Sequence, residues 1–126
     1  DNIIQRLLAE SRRLRICFIP DGIHVPFFAL RNYVDLVGLE RCIMVSDAIS
    51  AARLGPGRHL LGDEPVDVDE HGAARRPGAT NLAGSTLTMP TLLRNLSEQL
   101  KLDAAAIARL VDTNPRAAVR FDASIA

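Results

Sequence analysis

The sequence has only two cysteines, Cys17 and Cys42, in 126 residues. Two thiols cannot build a disulfide framework or a thiolate zinc site on their own, so a reducing cytoplasm is the expected compartment. Net charge is missing as well: Lys plus Arg total 15 and Asp plus Glu total 15. That balance argues against nucleic-acid and membrane-surface partners, which both select for clustered positive charge. Lysine is nearly absent, Lys101 standing alone beside unclustered arginines. No apolar run approaches the ~20 residues that span a bilayer. Asp1-Asn2-Ile3 shows neither the positive region nor the cleavage site of a signal peptide, so export is not expected. Apolar character, by contrast, is plentiful. At 48% hydrophobic residues the chain can build a core and is far from a disordered tail. Its length suits one domain or part of one.

Periodicity predicts helix, strand, helix, strand. Ile3, Ile4, Leu7, Leu8 and Leu14 recur at three- and four-residue spacing, with Arg6, Glu10, Arg12 and Arg13 between them. Ile16-Cys17-Phe18-Ile19 is short and continuously apolar, as in a strand buried on both faces of a parallel sheet. Pro26 suits the first turn of a second helix, whose buried stripe is Phe27, Leu30, Val34 and Val37, and Gly38 supplies its stop. Cys42-Ile43-Met44-Val45 is a second buried run, ending at Ser46-Asp47. This is a βαβ unit with a right-handed crossover.

The rhythm then changes. Gly55-Pro56-Gly57, Gly62-Asp63, His71-Gly72 and Arg75-Arg76-Pro77-Gly78 punctuate alternating residues, which predicts a β-hairpin insertion over about 55–80. Thr88 or Met89 before Pro90 opens a third helix with Leu92, Leu93, Leu96 and Leu100 on one side. Asp103 caps a fourth, carrying Ile107, Leu110 and Val111, and Asn114-Pro115 starts a short fifth turn with Val119 inward. Two parallel strands alone leave two unpaired edges and cannot bury such apolar runs. The chain is therefore expected to be a piece of a larger domain, and a closed (β/α)8 barrel takes ~250 residues.

In βα architectures functional groups collect where strands end and loops begin. The first such end offers Asp21-Gly22-Ile23-His24 and the second Ser46-Asp47-Ala48. Carboxylates and an imidazole at neighbouring ends suit proton transfer or a polar ligand; the alternative is that both acids merely cap their loops. A third stretch, Leu82-Ala83-Gly84-Ser85-Thr86-Leu87-Thr88-Met89, has small residues directly before a helix, which can seat a ligand or simply start the helix. Other motifs fail. Asp67-Val68-Asp69-Glu70-His71-Gly72 begins like a calcium loop, but its twelfth position is Gly78 where a Glu is required. Asp63, Glu64, Asp67, Asp69 and Glu70 then read as a solvated hairpin surface, with His59 and His71 as surface residues. Cys17 and Cys42 should point to opposite faces, which argues against a disulfide.

Four segments occur in a familiar order: Phe18-Ile19-Pro20-Asp21-Gly22-Ile23-His24-Val25, Met44-Val45-Ser46-Asp47-Ala48, the Leu82–Met89 stretch, and Asn114-Pro115-Arg116-Ala117. Together they resemble the C-terminal part of the N-acetylglucosamine-6-phosphate deacetylases, metal-dependent barrel hydrolases of the amidohydrolase superfamily. The likeness runs from about Asp1 to Phe121. It implies an α/β fold: the C-terminal fragment of a (β/α)8 TIM-type barrel, with the last two barrel strands, flanking helices and a hairpin insertion. Residues 1–126 would form a partial metal-dependent hydrolase barrel domain. In that family a metal-bound water attacks the acetamide of N-acetylglucosamine 6-phosphate. The resemblance assigns Asp47 the catalytic proton transfer and gives substrate contacts to Asp21, Gly22, Ile23 and His24 and to Leu82, Ala83 and Gly84. The family's metal, a divalent ion such as zinc, is held by a Glu and two His on earlier strands, so no ligand is expected here. The closing segment expected after Val119 is not matched by residues 121–126. Implied partners are a phosphorylated amino sugar, the rest of the barrel and further copies of a homo-oligomeric full-length enzyme, with no nucleic acid and no membrane. The isolated segment should not hydrolyse anything. Two rivals are an amidohydrolase acting on another amide or cyclic substrate, and a non-catalytic α/β anion-binding module using His24 and Gly84.

Overall fold

The computed structural model describes residues 2–119; Asp1 and 120–126, with Phe121 and the stretch compared with the closing segment, lie outside the described residues. Helix α1 (Ile3–Ala9) starts where the Asn2 side chain accepts a hydrogen bond from Ile4 N at 2.8 Å. Strand β1 (Ile16–Phe18), helix α2 (Phe27–Val37) and strand β2 (Cys42–Met44) follow. β1 and β2 pair in parallel, with Ile16 opposite Cys42 and Phe18 opposite Met44, so the expected βαβ order is present. Pro26 is the N-cap of α2, one position before the helix proper, and Gly38 ends that helix at φ +83°. Leu30, Val34 and Val37 form the buried stripe, with Phe27 half-buried beside them.

Three C-terminal helical pieces complete the main core. In α3 (Met89–Glu98) the Thr88 hydroxyl accepts from Thr91 N, and in α4 (Ala104–Ala108) Asp103 Oδ1 accepts from Ala106 N at 2.8 Å. A π turn (Arg109–Thr113) joins α4 to α5 (Asn114–Ala118), with Asn114 N donating to Arg109 O five residues back. The wider turn has a reason: Pro115 lacks an N–H and its ring would collide with a carbonyl one ordinary turn earlier. Leu87, Leu92, Leu96, Leu100 and Leu110 pack with Phe18, Leu30, Val34, Cys42 and Met44 in one cluster.

Where a β-hairpin was expected the chain forms a three-stranded antiparallel sheet, β3 (Gly57–Leu61), β4 (Glu64–Val68) and β5 (Ala74–Arg75), because Ala74 and Arg75 add a short third strand to β4. It has its own small core of Ala51, Val66, Val68 and Ala74. Its acidic residues are not all simply solvated. Asp67 receives Arg58 at 2.7 and 2.9 Å, and Asp69 accepts from the N–H groups of His71 and Ala73 and from Arg75. These hydrogen bonds favour the charged forms and lower both carboxyls below their usual range, led by Arg58 for Asp67 and by the Ala73 N–H for Asp69.

Three expectations about burial need correction. Cys17 is exposed rather than buried on both faces, because among the described residues β1 has a single strand neighbour and nothing covers that position. Within α1 only Leu8 is buried; Ile3 is 67% exposed, and Ile4, Leu7 and the following Leu14 are exposed too. The helix touches the core along one line, and among the described residues no element lies on its other side. Val119 does not point inward and is 74% exposed. It lies five residues beyond the buried Asn114, about 140° round a helix of 3.6 residues per turn. Among the described residues no helix is long and apolar enough to cross a membrane.

Asn114 anchors β2 to α5. Only 4% exposed, its amide donates to Leu39 O at 2.6 Å and to Cys42 O at 2.7 Å. Asn114→Leu keeps the branched shape of the side chain, though with more bulk, and orphans two carbonyls. It should lower unfolding stability by ~1–3 kcal/mol, read from the urea midpoint; an unchanged midpoint contradicts the anchor.

Candidate functional site

The level register of β1 and β2 sends both following loops out at one edge. Val45 N continues the pairing by donating to Phe18 O at 3.0 Å. The loop after β1 is organised by Asp21. Its Oδ1 accepts from Ile23 N at 2.8 Å and His24 N at 2.9 Å, and its Oδ2 faces His24 Nδ1 at 2.7 Å. A carboxylate at Nδ1 favours a proton there, which leaves Nε2 as the ring's remaining polar atom. The Asp21 side chain is 6% exposed and the His24 side chain 23%. Asp21 thus builds the loop, and His24 is the group it presents. Gly22 turns at φ +77°, where an added Cβ would lie 2.6 Å from the Phe27 ring.

Asp47 ends the β2 side differently. It holds φ +48°, a left-handed conformation that Asp tolerates better than most residues. The residue is exposed, and among the described residues its carboxylate takes no hydrogen bond. Its backbone is fixed from the third segment: Ser85 N donates to Asp47 O and Ile49 N to Ser85 O, both at 2.9 Å, in a parallel bridge between Ala48 and Ser85. Gly84, at φ +74°, lies so close that an added Cβ would meet Ile49 Cγ2 at 2.4 Å, Asp47 O at 3.4 Å and Asp47 Oδ2 at 3.8 Å. Ala83 N bonds Ala74 O at 2.8 Å, and Arg75 bridges Leu82, which ties this segment to β5. Gly84 therefore sits beside Asp47, and Ala83 and Leu82 are held against β5.

The third segment also meets the first. A cavity of about 160 Å³ is lined by Asp21 and Ile23, by Ser85, Thr86, Leu87 and Thr88, and by Thr91 and Asn95 of α3. The third segment thus meets both strand-end loops, bridging Ala48 on one side and lining this cavity with Asp21 and Ile23 on the other, while neither Asp47 nor His24 lines the cavity. His71 lines the same cavity, which the sequence did not reveal. Its loop is held by Asp69 and by Thr86 Oγ1, which donates to Gly72 O at 2.8 Å. His71 is exposed, as its loop position suggested, yet that loop is folded onto the site. A neighbouring cleft of about 380 Å³ shares His71 and Thr86 and adds Arg53. His59 bonds Gly55 O at 2.9 Å and lines neither space.

A metal does not fit the described residues on their own, since among them no three His, Cys, Asp or Glu side chains are grouped to hold one. Asp21 is already committed to its loop, and Asp47 has no second ligand beside it. The Cys42 thiol is pushed up to about 11 by burial and stays protonated and inert at neutral pH. Both cysteines are free.

No protein-family model matches the chain. Related proteins do. An N-acetylgalactosamine-6-phosphate deacetylase of Escherichia coli O157:H7 is 30% identical over 83% of this chain and 27% of its own length. An N-acetylglucosamine-6-phosphate deacetylase of Danio rerio is 39% identical over 72% of this chain and 22% of its own length. A further Escherichia coli K12 relative, 30% identical, is covered over 61% of its length. The chain thus spans less than two thirds of each of these proteins, and about a quarter of two of them. Among solved structures, an aspartate-to-alanine variant of N-acetyl-D-glucosamine-6-phosphate deacetylase from Mycobacterium smegmatis, in complex with N-acetyl-D-glucosamine-6-phosphate, matches with a TM-score of 0.78. It is 30% identical, over 90% of this chain and 30% of that one. The Thermotoga maritima enzyme matches with a TM-score of 0.78 at 28% identity, over 86% of this chain and 29% of that one.

Gly84 is the tightest contact at the candidate site. Gly84→Ala brings a left-handed backbone penalty and a collision with Ile49, so stability should fall by ~1–3 kcal/mol. A thermal midpoint equal to that of the parent protein would contradict this packing.

Proposed function

We propose, on the premise that this chain is homologous to a segment of the N-acetylglucosamine-6-phosphate deacetylases, that it is the C-terminal part of such an enzyme's barrel. In this reading β1 and β2 are the seventh and eighth strands of a (β/α)8 barrel. Residues 1–126 then form part of one hydrolase domain, and 55–80 are an insertion before the last barrel helices. The open edges of the β1–β2 pair, the apolar positions exposed on α1 and the structural likeness to whole deacetylases support this placement. The substrate is an N-acetylated amino sugar 6-phosphate, and the products are acetate and the free amino sugar phosphate.

The observation that carries the reading is the Asp47 carboxylate: exposed, without a partner among the described residues, and set at a strand end between two loops. A water oxygen adds to the acetamide carbonyl carbon while Asp47 takes the water's proton. The resulting tetrahedral centre expels the amine as the C–N bond breaks, and Asp47 returns the proton to that nitrogen. The first step needs the carboxylate and the second the acid, so one residue serves both in turn. An exposed oxygen pair with no competing hydrogen bond is suited to that exchange.

Asp21 holds His24 so that Nε2 faces away from it, which suits a contact to the sugar phosphate or a ring hydroxyl. Leu82, Ala83 and Gly84 offer a second contact surface, of which Gly84 lies against Asp47 because it has no side chain to collide with Ile49. Any metal acting with these residues needs ligands from polypeptide outside the described ones, and no step above is assigned to it.

Asp47→Asn in the complete enzyme keeps the side chain's size and removes its basicity. Turnover of N-acetylglucosamine 6-phosphate should fall by roughly 10²–10⁴-fold, with KM changed only a few-fold. Wild-type turnover in the folded variant would remove Asp47 from the chemistry.

A further inference from the structure

We propose that Asn95 is a positioning residue for the loop that presents His24; the link to substrate rests on the function proposed above. Asn95 lies on α3 between Leu92 and Leu96, both fully buried, where a leucine would suit the helix pattern equally well. Instead its amide Nδ2 donates to the carbonyl oxygen of Pro20, 75 residues earlier, at 2.9 Å. Pro20 is itself fully buried. Its carbonyl needs a partner inside the protein, and Asn95 supplies one. The next residue is Asp21, whose carboxylate holds Ile23 N, His24 N and His24 Nδ1. A hydrogen-bonded chain therefore runs from α3 through Pro20 and Asp21 to the His24 ring. Asn95 and Asp21 also line one cavity, so the helix side chain reaches the loop directly. Asn95 acts on substrate only through His24. A shift of about 1 Å in that ring is enough to weaken a bound geometry by orders of magnitude.

The test uses Asn95→Asp, nearly isosteric but without the NH₂ donor, and Asn95→Leu as a second variant, both in the complete enzyme. Two readouts separate positioning from general stability. Without substrate, amide hydrogen exchange at Ile23 and His24 should quicken roughly tenfold, while α3 amides keep their protection. With N-acetylglucosamine 6-phosphate, KM should rise roughly tenfold with kcat changed much less. That rise should vanish in a His24→Ala background, because two residues acting through one contact are not additive. Leu8→Ala, in the core contact of α1 and away from the site, serves as a control that lowers stability without moving KM. Unchanged exchange at Ile23 and His24 in the folded variants, or a KM effect that persists fully in His24→Ala, overturns the proposal. Should the enzyme prove not to act on the amino sugar phosphate, the exchange readout still decides whether Asn95 sets the loop.

Discussion

The parallel pairing of β1 with β2 is the constraint on which the other features depend. Phe18 lies opposite Met44, so the two strands end level and their loops leave from one edge. Slipping the register by one residue would turn β2 over. Cys42 and Met44 would leave the core they share with Leu30 and Leu110, and Asp47 would no longer emerge beside the Asp21 loop. The register is specified by the core cluster, which takes in Cys42 and Met44 and leaves out Ile43 between them. It is fixed again at the start of β2 by the two hydrogen bonds from Asn114. A buried amide that serves two carbonyls permits little sliding.

Above that base the site is assembled by backbone rather than by a network of side chains. The stretch around Ser85 pairs with Ala48, Gly84 fits against Asp47 because it has no side chain, and Ala83 carries the connection on to Ala74 of the insertion. The three-stranded sheet consequently forms part of the same structure that positions Asp47. Asp69 draws its loop together and Thr86 holds Gly72, so His71 stands at the rim of the cavity that Asp21 also lines. Asp47 itself is left without side-chain restraint among the described residues, in contrast to the fully engaged Asp21. The two acids occupy equivalent strand ends and have opposite characters: one builds a loop, the other is available.

Features set by near neighbours were legible in the sequence. The caps at Thr88 and Asp103, the stop at Gly38, the buried stripe of α2 and the turns of the insertion each depend on a few adjacent residues. The two strand-end segments could be named from their place after apolar runs, the third from its small residues before a helix, and all three from the resemblance. Features set across the fold were not legible. Nothing local distinguishes Asn95 or Asn114 from a surface asparagine, because their partners lie more than 70 residues away. The sequence placed Val119 inward because the π turn before Pro115, which shifts the helix phase, has no simple pattern. Cys17 and the α1 stripe looked buried because apolar spacing reports a preference for a partner and not the partner's presence. Asp67 and Asp69 looked merely solvated because their arginines approach from neighbouring strands.

In the function proposed above, Asp47 and the Asp21–His24 loop serve one ligand, with the carboxylate at the reacting amide. The most direct measurement is a crystal structure of the complete enzyme carrying Asp47→Asn with N-acetylglucosamine 6-phosphate bound. The residue-47 amide is expected within about 3–4 Å of the acetamide group, with the His24 ring in contact with the sugar phosphate or a ring hydroxyl. A substrate bound elsewhere, or a residue 47 side chain turned away from the acetamide, would contradict it.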